Sequence, residues 1–175
     1  MSKPRRNIEL KVRYSDLEHA REVVVGLGAR LHVAMTQIDT YFQSPHGRLK
    51  LREITTANQS SAELIWYHRP DGVEFRGSNY YVVPVPDAAL LKSALIASNG
   101  LRGEVRKQRD VYLLHNVRIH LDRVDKLGNF IEFEAVMSEG EDDAASIARL
   151  DQLHAALGMK PGDHERGSYS DLLGI

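Results

Sequence analysis

Polar and apolar residues alternate without a break through Asn7-Ile8-Glu9-Leu10-Lys11-Val12-Arg13. A period of two marks a strand with one apolar face. The period then changes: Leu17, Ala20, Val23, Val24 and Leu27 recur at helical spacing behind Ser15 and Asp16, either of which can cap the first turn, and Gly26 and Gly28 offer a stop. That Gly-x-Gly follows a helix rather than a strand, so it is not a dinucleotide fingerprint. From Arg30 to Phe42 the pattern is extended again, Ser44-Pro45-His46-Gly47 turns the chain, and Arg48-Leu49-Lys50-Leu51-Arg52-Glu53 alternates. Beyond a polar loop from Thr55 to Ser61, strands are predicted over Ala62 to Arg69 and Phe75 to Val83, with Pro70-Asp71-Gly72 as the turn between them. Pro84 and Pro86 end the second strand, and Asp87 caps a helix from Ala88 to about Ser98. Three strands follow, Gly103 to Leu114, Val117 to Val124 and Asn129 to Val136. Their connections, His115-Asn116 and Lys126-Leu127-Gly128, are short enough for antiparallel hairpins. An acidic loop (Glu139 to Asp143), a helix from Ala144 to Leu157 and a short helix near Tyr169 to Leu173 complete the chain. About eight strands with three or four helices predict an α+β protein built on one curved sheet or barrel.

What alternates with the apolar residues is unusual. Charges stand two apart in mid-strand: Glu9 and Lys11; Arg48, Lys50 and Arg52; Lys107 and Arg109; Glu132 and Glu134; and Asp122 with His120 two before it. Residues i and i+2 point the same way, so each set shares one face of its strand. For any single strand a solvated outer face explains this. For all of them together, the helices supply a different reading. Amphipathic helices need an apolar sheet surface, and Ile8, Leu10, Leu49, Leu51, Ile119, Leu121, Ile131 and Phe133 provide one. If the helices cover that side, the charges line a concave interior. Buried charge of that density is costly unless paired or used for a ligand. Basic groups with a few carboxylates suit a polyanion bridged by a hard cation, such as a metal-bound di- or triphosphate.

Composition narrows the function classes. The 175 residues, 42% hydrophobic and 27% charged, are enough for one domain with a substantial core, taken as residues 1–175 with 1–6 as a flexible tail. Twenty-three Lys+Arg against 24 Asp+Glu give a formal charge of -1, which argues against a nucleic-acid partner. With no Cys, a disulfide, a Cys-ligated zinc, an Fe–S cluster and a thiol nucleophile are all excluded. No apolar run reaches the ~18 residues of a membrane span and no signal-peptide pattern opens the chain, so a soluble cytoplasmic protein is expected. The eight His show no His-x-x-x-His pair on a helix, against a zinc hydrolase.

The charged motifs, in their order and spacing, resemble the CYTH superfamily, the triphosphate-tunnel enzymes that include class IV adenylate cyclases, thiamine triphosphatases and inorganic triphosphatases. The resemblance rests on Ile8-Glu9-Leu10-Lys11, Gln37-Ile38-Asp39-Thr40-Tyr41-Phe42, Leu49-Lys50-Leu51-Arg52, Val105-Arg106-Lys107-Gln108-Arg109, Ile119-His120-Leu121-Asp122, Leu127 to Glu134, and Ser168 to Leu173. It implies eight antiparallel strands closed into a barrel, the triphosphate tunnel, with helices packed outside. By that likeness Lys11, Lys50, Arg52 and Arg109 grip the phosphates, with Lys107 and His68 as further candidates. Glu9, Glu132 and Glu134 would ligate Mg²⁺ or Mn²⁺. Lys11, Arg109 and Asp122 would take part in the chemistry, Asp122 close to the metal or to the attacking group.

Two residues depart from the family pattern. Asn7 stands where its first Glu is usual, which removes a formal charge from the metal site but leaves a carbonyl ligand. His68 stands where many members have Lys, a weaker phosphate anchor that neighbouring Arg69 replaces only if the strand twists or bulges. The functions expected are cyclisation of ATP to cyclic AMP and pyrophosphate, hydrolysis of an inorganic, thiamine or nucleoside triphosphate, or binding of a nucleotide or polyphosphate without turnover. The Gln-x-Asp-x-Tyr-Phe stretch and the Arg-Pro-Asp run look most like the cyclase branch, whose members are often homodimers.

Overall fold

The computed structural model describes residues 6–68, 79–137, 143–165 and 167–175, and within these the side chains of 6–9, 68, 79, 80, 136, 137, 143 and 161 lie outside the description. Eight strands run in chain order as β1 (Arg6–Arg13), β2 (Arg30–Phe42), β3 (Arg48–Thr56), β4 (Ser60–His68), β5 (Asn79–Pro84), β6 (Leu101–Leu114), β7 (Val117–Val124) and β8 (Gly128–Met137). Helices α1 (Leu17–Gly26), α2 (Ala88–Asn99), α3 (Asp143–Ala156) and α4 (Tyr169–Leu172) complete the described elements, with a 3₁₀ turn at Pro161–Asp163 that the sequence pattern does not signal. Asp16 and Asp87 cap α1 and α2, accepting from the backbone N–H of His19 and Leu90 at 2.9 Å each. The polar stretch expected as a loop from Thr55 to Ser61 is mostly strand, because Thr55 and Ser60 pair across a much tighter turn. The turn expected at Pro70-Asp71-Gly72 and the start of the strand expected from Phe75 lie outside the described residues.

The strands form one sheet in the order β1-β8-β7-β6-β2-β3-β4-β5, every pairing antiparallel. Its outer face is the apolar one. Leu17, Ala20 and Val24 of α1 and Leu150 and Leu153 of α3, with Leu157, pack on Ile119, Leu121, Ile131 and Phe133. Leu91 and Leu95 of α2 pack on Phe42, Leu51 and Ala62. Fully burying each such side chain contributes on the order of 1.5–3 kcal/mol, so the helices fix which face turns inward.

The inner face is strongly curled. Lys11 of β1 donates to the Gly167 carbonyl at 2.9 Å, and Arg48 of β3 donates to the Ser168 hydroxyl at 3.0 Å. β1 and β3 are five steps apart in the strand order, which in a flat sheet would separate them by roughly 24 Å. Adjacent residues of one segment meet both because the sheet wraps around it.

Closure differs from the expected barrel. Among the described residues no ladder joins β1 to β5. The free edge of β1 instead takes the segment before α4: Val12 bridges His164 antiparallel, and the Glu165 N–H donates to the Lys11 carbonyl at 2.8 Å. An edge strand has backbone groups to satisfy, and a nearby stretch of chain does so here in place of the eighth ladder.

Candidate active site

The period of two on each strand, once paired, places the charged residues in lateral rows. Register sets Lys11 opposite Glu132 and Glu9 opposite Glu134, Glu132 opposite His120, Arg109 opposite Asp122, and Arg52 opposite Asp39. The described side chains among them lie on the curled inner face. The strand faces therefore converge as the alternation predicts, and Lys50, Lys107 and Asp122 are buried there, Asp122 completely.

Two ion clusters organise this face. In the first, Asp39 of β2 accepts from Lys50 Nζ at 2.8 Å and from Arg52 Nε and Nη2 at 2.8 and 2.9 Å. Gln37 adds a 3.2 Å bond to the same carboxylate. Burial pushes the Asp39 carboxyl up, but the Arg52 hydrogen bond and the charges of Lys50, Arg52 and Lys107 carry it far below the usual carboxylate range. In the second cluster, Arg109 grips Asp122 with two bonds, Nε at 2.6 Å and Nη2 at 2.5 Å, and reaches Glu132 Oε2 at 2.6 Å. Lys107 Nζ lies 3.6 Å from Asp122. Burial opposes ionisation of Asp122 and Glu132, yet the Arg109 charge beside them, with Lys107, leaves both carboxyls lowered.

The two buried lysines move the other way. Burial, with the charges of Arg52 and Arg109, brings Lys50 down to about 8 against the pull of Asp39. Burial and Arg109 bring Lys107 down to about 8 against Asp122, Glu132 and Asp39. Neither lysine has a local environment that fully pays its desolvation.

Helix α4 closes one end of the face. Tyr169 packs with Tyr41, Val105, Val124 and Phe130, while its ring lies 4.3 Å from Lys11 Nζ and 4.9 Å from Lys107 Nζ. Its hydroxyl donates to Asp122 at 2.7 Å. Arg48 holds the same helix through Ser168, Ser170 and Asp171. Gly103 lets the C-terminus lie close, since a Cβ there would meet Ile175 at 2.7 Å.

Residues 5–169 match the CYTH domain. The chain belongs to the CYTH family. The fold of this CYTH domain is shared with a Pyrococcus horikoshii OT3 protein, at 26% identity and a TM-score of 0.73 over 95% of this chain and 98% of that one. It is shared with a candidate adenylate cyclase from Vibrio parahaemolyticus, at 20% identity and a TM-score of 0.72 over 99% and 100% of the two chains. A third likeness is to a Hippeastrum candidate adenylyl cyclase with a dominant triphosphatase activity, at 15% identity and a TM-score of 0.68 over 97% and 95%. Among curated proteins none matches. No described helix is long and apolar enough to cross a membrane.

Of the residues singled out for this CYTH site, Lys11, Lys50, Arg52, Lys107, Arg109, Asp122, Glu132 and Glu134 come together on one face. Glu9 is placed there by register, and His68 ends β4, but the side chains of both lie outside the described residues. Asp39 and Tyr169 belong to the same network without having been assigned a role from sequence. The signal for Asp39 is its place between Gln37 and Tyr41, each two residues away on the face that register sets beside Lys50 and Arg52. Trp66 and Tyr67 point to opposite faces. Trp66 donates to the His46 carbonyl and packs on Tyr81, whereas the Tyr67 ring lies 5.6 Å from Lys50 Nζ.

The donor set fits a hard divalent cation. Glu132 and Glu134 share one face of β8 and offer carboxylate oxygens of the kind Mg²⁺ and Mn²⁺ take, and register sets the Glu9 backbone opposite Glu134. Both described glutamates are also held by arginines, Glu132 by Arg109 and Glu134 by Arg118 at 3.2 Å. Among the described residues no three His, Asp or Glu stand close enough to hold a cation by themselves.

Tyr169→Phe tests how far α4 supports this face. Losing the hydroxyl removes a hydrogen bond to a buried carboxylate, a contact of about 1.5–3 kcal/mol. Because Arg109 and Lys107 still neutralise Asp122, the expected loss is at the lower end of that range, read from urea denaturation of the two proteins.

Proposed function

We propose that this CYTH domain is a divalent-metal-dependent enzyme acting on an organic triphosphate held against the curled face, cyclising ATP to cyclic AMP and pyrophosphate. The observation that carries the reading is the convergence of Lys11, Lys50, Arg52, Lys107 and Arg109 from three strands beside Glu132 and Glu134. Phosphate oxygens make the same demand on lysine and arginine donors as the Asp39 and Asp122 carboxylates do. A triphosphate therefore meets donors that these carboxylates have already oriented. Lys50 and Arg52 grip one part of the phosphate chain and Lys107 and Arg109 another, while Lys11 is aimed by the Gly167 carbonyl and the Tyr169 ring. Asp122 anchors Arg109, Lys107 and Tyr169 in one geometry. Glu132 and Glu134, with Glu9, would hold Mg²⁺ or Mn²⁺, which when bound neutralises charge on the phosphoryl oxygens. In the cyclisation the ribose 3′-hydroxyl releases its proton to water, its oxygen bonds to the α-phosphorus, the bond from that phosphorus to its bridging oxygen breaks, and pyrophosphate departs. Orientation and charge neutralisation, rather than covalent catalysis, are what this face offers.

Hydrolysis of the triphosphate is the second reading, favoured by the dominant triphosphatase activity of the Hippeastrum relative. Incubating the purified protein with ATP, inorganic triphosphate and thiamine triphosphate, each with Mg²⁺ or Mn²⁺, separates the two by product. Cyclic AMP with pyrophosphate supports cyclisation, and orthophosphate with a diphosphate supports hydrolysis. No product from any of the three would leave a module that binds without turnover. Glu132→Gln should lower apparent metal affinity by at least the roughly 10–100-fold that loss of an outer-shell partner costs. Unchanged metal dependence in that variant would remove Glu132 from the site.

A further inference from the structure

Away from the charged face, α3 and the segment that leads into α4 bring two imidazoles together. His154 lies in the last turn of α3, and His164 directly follows the 3₁₀ turn at Pro161–Asp163. Their Nε2 atoms are 3.2 Å apart, the ring centroids 4.9 Å apart, and the ring planes inclined by 72°. Two nitrogens each about 2.0–2.1 Å from one tetrahedral Zn²⁺ stand roughly 3.3–3.4 Å from each other. The observed spacing is close to that of a chelate, and the two rings approach each other through their Nε2 atoms at a steep angle.

The surroundings suit an ion as well as the spacing does. His164 is exposed and His154 half-buried, so an aqueous ion reaches the pair and water can fill the remaining positions. The carboxylates of Asp151 and Asp163 lie near enough for their charge to act on His154. Among the described residues no third His, Asp or Glu completes a preformed cage, which sets this apart from a closed structural zinc site.

We infer that His154 and His164 form a two-imidazole site for a transition-metal ion of the Zn²⁺ type, completed by water, and that the ion staples the C-terminal segment to α3. The staple would act next to the proposed triphosphate site. His164 bridges Val12 on β1, Glu165 bonds the Lys11 backbone, and Gly167 holds the Lys11 ammonium. The inference does not depend on the proposed reaction.

Calorimetric titration of the full chain with Zn²⁺ tests it in the Glu132→Gln/Glu134→Gln double variant, with His154→Gln or His164→Gln added in parallel. In the double glutamate variant, where the proposed Mg²⁺ or Mn²⁺ site is removed, one equivalent of Zn²⁺ should bind, and each histidine substitution added to it should weaken that binding by at least the roughly 10–100-fold that loss of an outer-shell partner already costs. Zn²⁺ should also raise the melting temperature of the double glutamate variant and not of the same variant carrying a histidine substitution. His164 is at the surface, so its variant provides the test even if His154→Gln folds poorly. No binding to excess Zn²⁺ in the double glutamate variant, or binding there that survives either histidine substitution, would reduce the pair to a shared N–H···N hydrogen bond and overturn the inference.

Discussion

Arg109→Ala should destabilise the protein by about 3–5 kcal/mol at pH 7, the cost of leaving a buried charge without its partner. Arg109 neutralises two carboxylates at once, binding Asp122 with two hydrogen bonds and Glu132 with a third. Asp122 has no exposed surface through which water could take over. Lysine at this position keeps the charge but loses the planar fork, so Arg109→Lys should fall between the two proteins. The deficit should depend on pH with a definite sign. In the unaltered protein Asp122 and Glu132 have lowered values, so their ion pairing contributes fully above the ordinary carboxylate range and is lost as pH falls through the lowered ones. Without Arg109, burial acts with less opposition and both carboxyls rise. Acid then protonates them in the variant first and relieves its penalty. Urea denaturation at pH 7 and again near pH 4 should show the gap between the two proteins narrowing. A loss under about 1 kcal/mol at pH 7 would mean that the buried pair contributes little.

Affinity should climb steeply with phosphate number, inorganic triphosphate and ATP binding far better than ADP, and AMP hardly at all. Each charge-assisted contact is worth roughly 1.5–3 kcal/mol before desolvation is subtracted. One phosphate fewer should therefore cost on the order of ten- to a hundredfold in Kd. Arg52→Ala should flatten the ladder, whereas a change at His68 should alter it mildly. Binding should also take up protons near pH 8. Lys50 and Lys107 sit at about 8 in the free protein, and a polyanion against them favours the charged form, so together they should gain up to about one proton per complex at that pH. Affinity should then decline as pH rises past 8. Unfolding does not imitate this decline. Lysines lowered on folding are protonated more readily in the unfolded chain, so between about 8 and 10.5 their contribution to stability grows with pH. Calorimetry of ATP, ADP, AMP and inorganic triphosphate at fixed Mg²⁺, in buffers of different ionisation enthalpy, reads both effects. Equal affinities for ATP and AMP would show that the nucleoside is recognised instead, and an absence of proton uptake would separate the two lysines from the ligand.

Much of this arrangement is legible in the residues because strand geometry converts spacing into direction. A period of two is enough to assign Lys50 and Arg52, or Glu132 and Glu134, to one face. Three amphipathic helices are enough to decide that this face is the one turned away from them. Strand ends were less legible: Thr55 and Ser60 look like loop residues, yet pairing across β3 and β4 makes them strand. Local composition is a weak signal where a ladder partner decides the outcome.

Which charge meets which depended on the tertiary structure. Asp39 lies between Lys50 and Arg52 because β2 and β3 pair in one particular register, and a shift of one residue would turn its carboxylate to the opposite face. Tyr169 reaches Asp122, and His164 reaches His154, only after the C-terminal segment has folded back along β1. The same segment occupies the edge at which the expected barrel would have closed. The sequence by itself determined the elements and their two-sided character, since both follow from bond geometry within a few residues. The pairing of buried charges and the fate of the sheet edge were decided by contacts between residues far apart in the chain, whose cost or gain exists only once burial has removed the water between them.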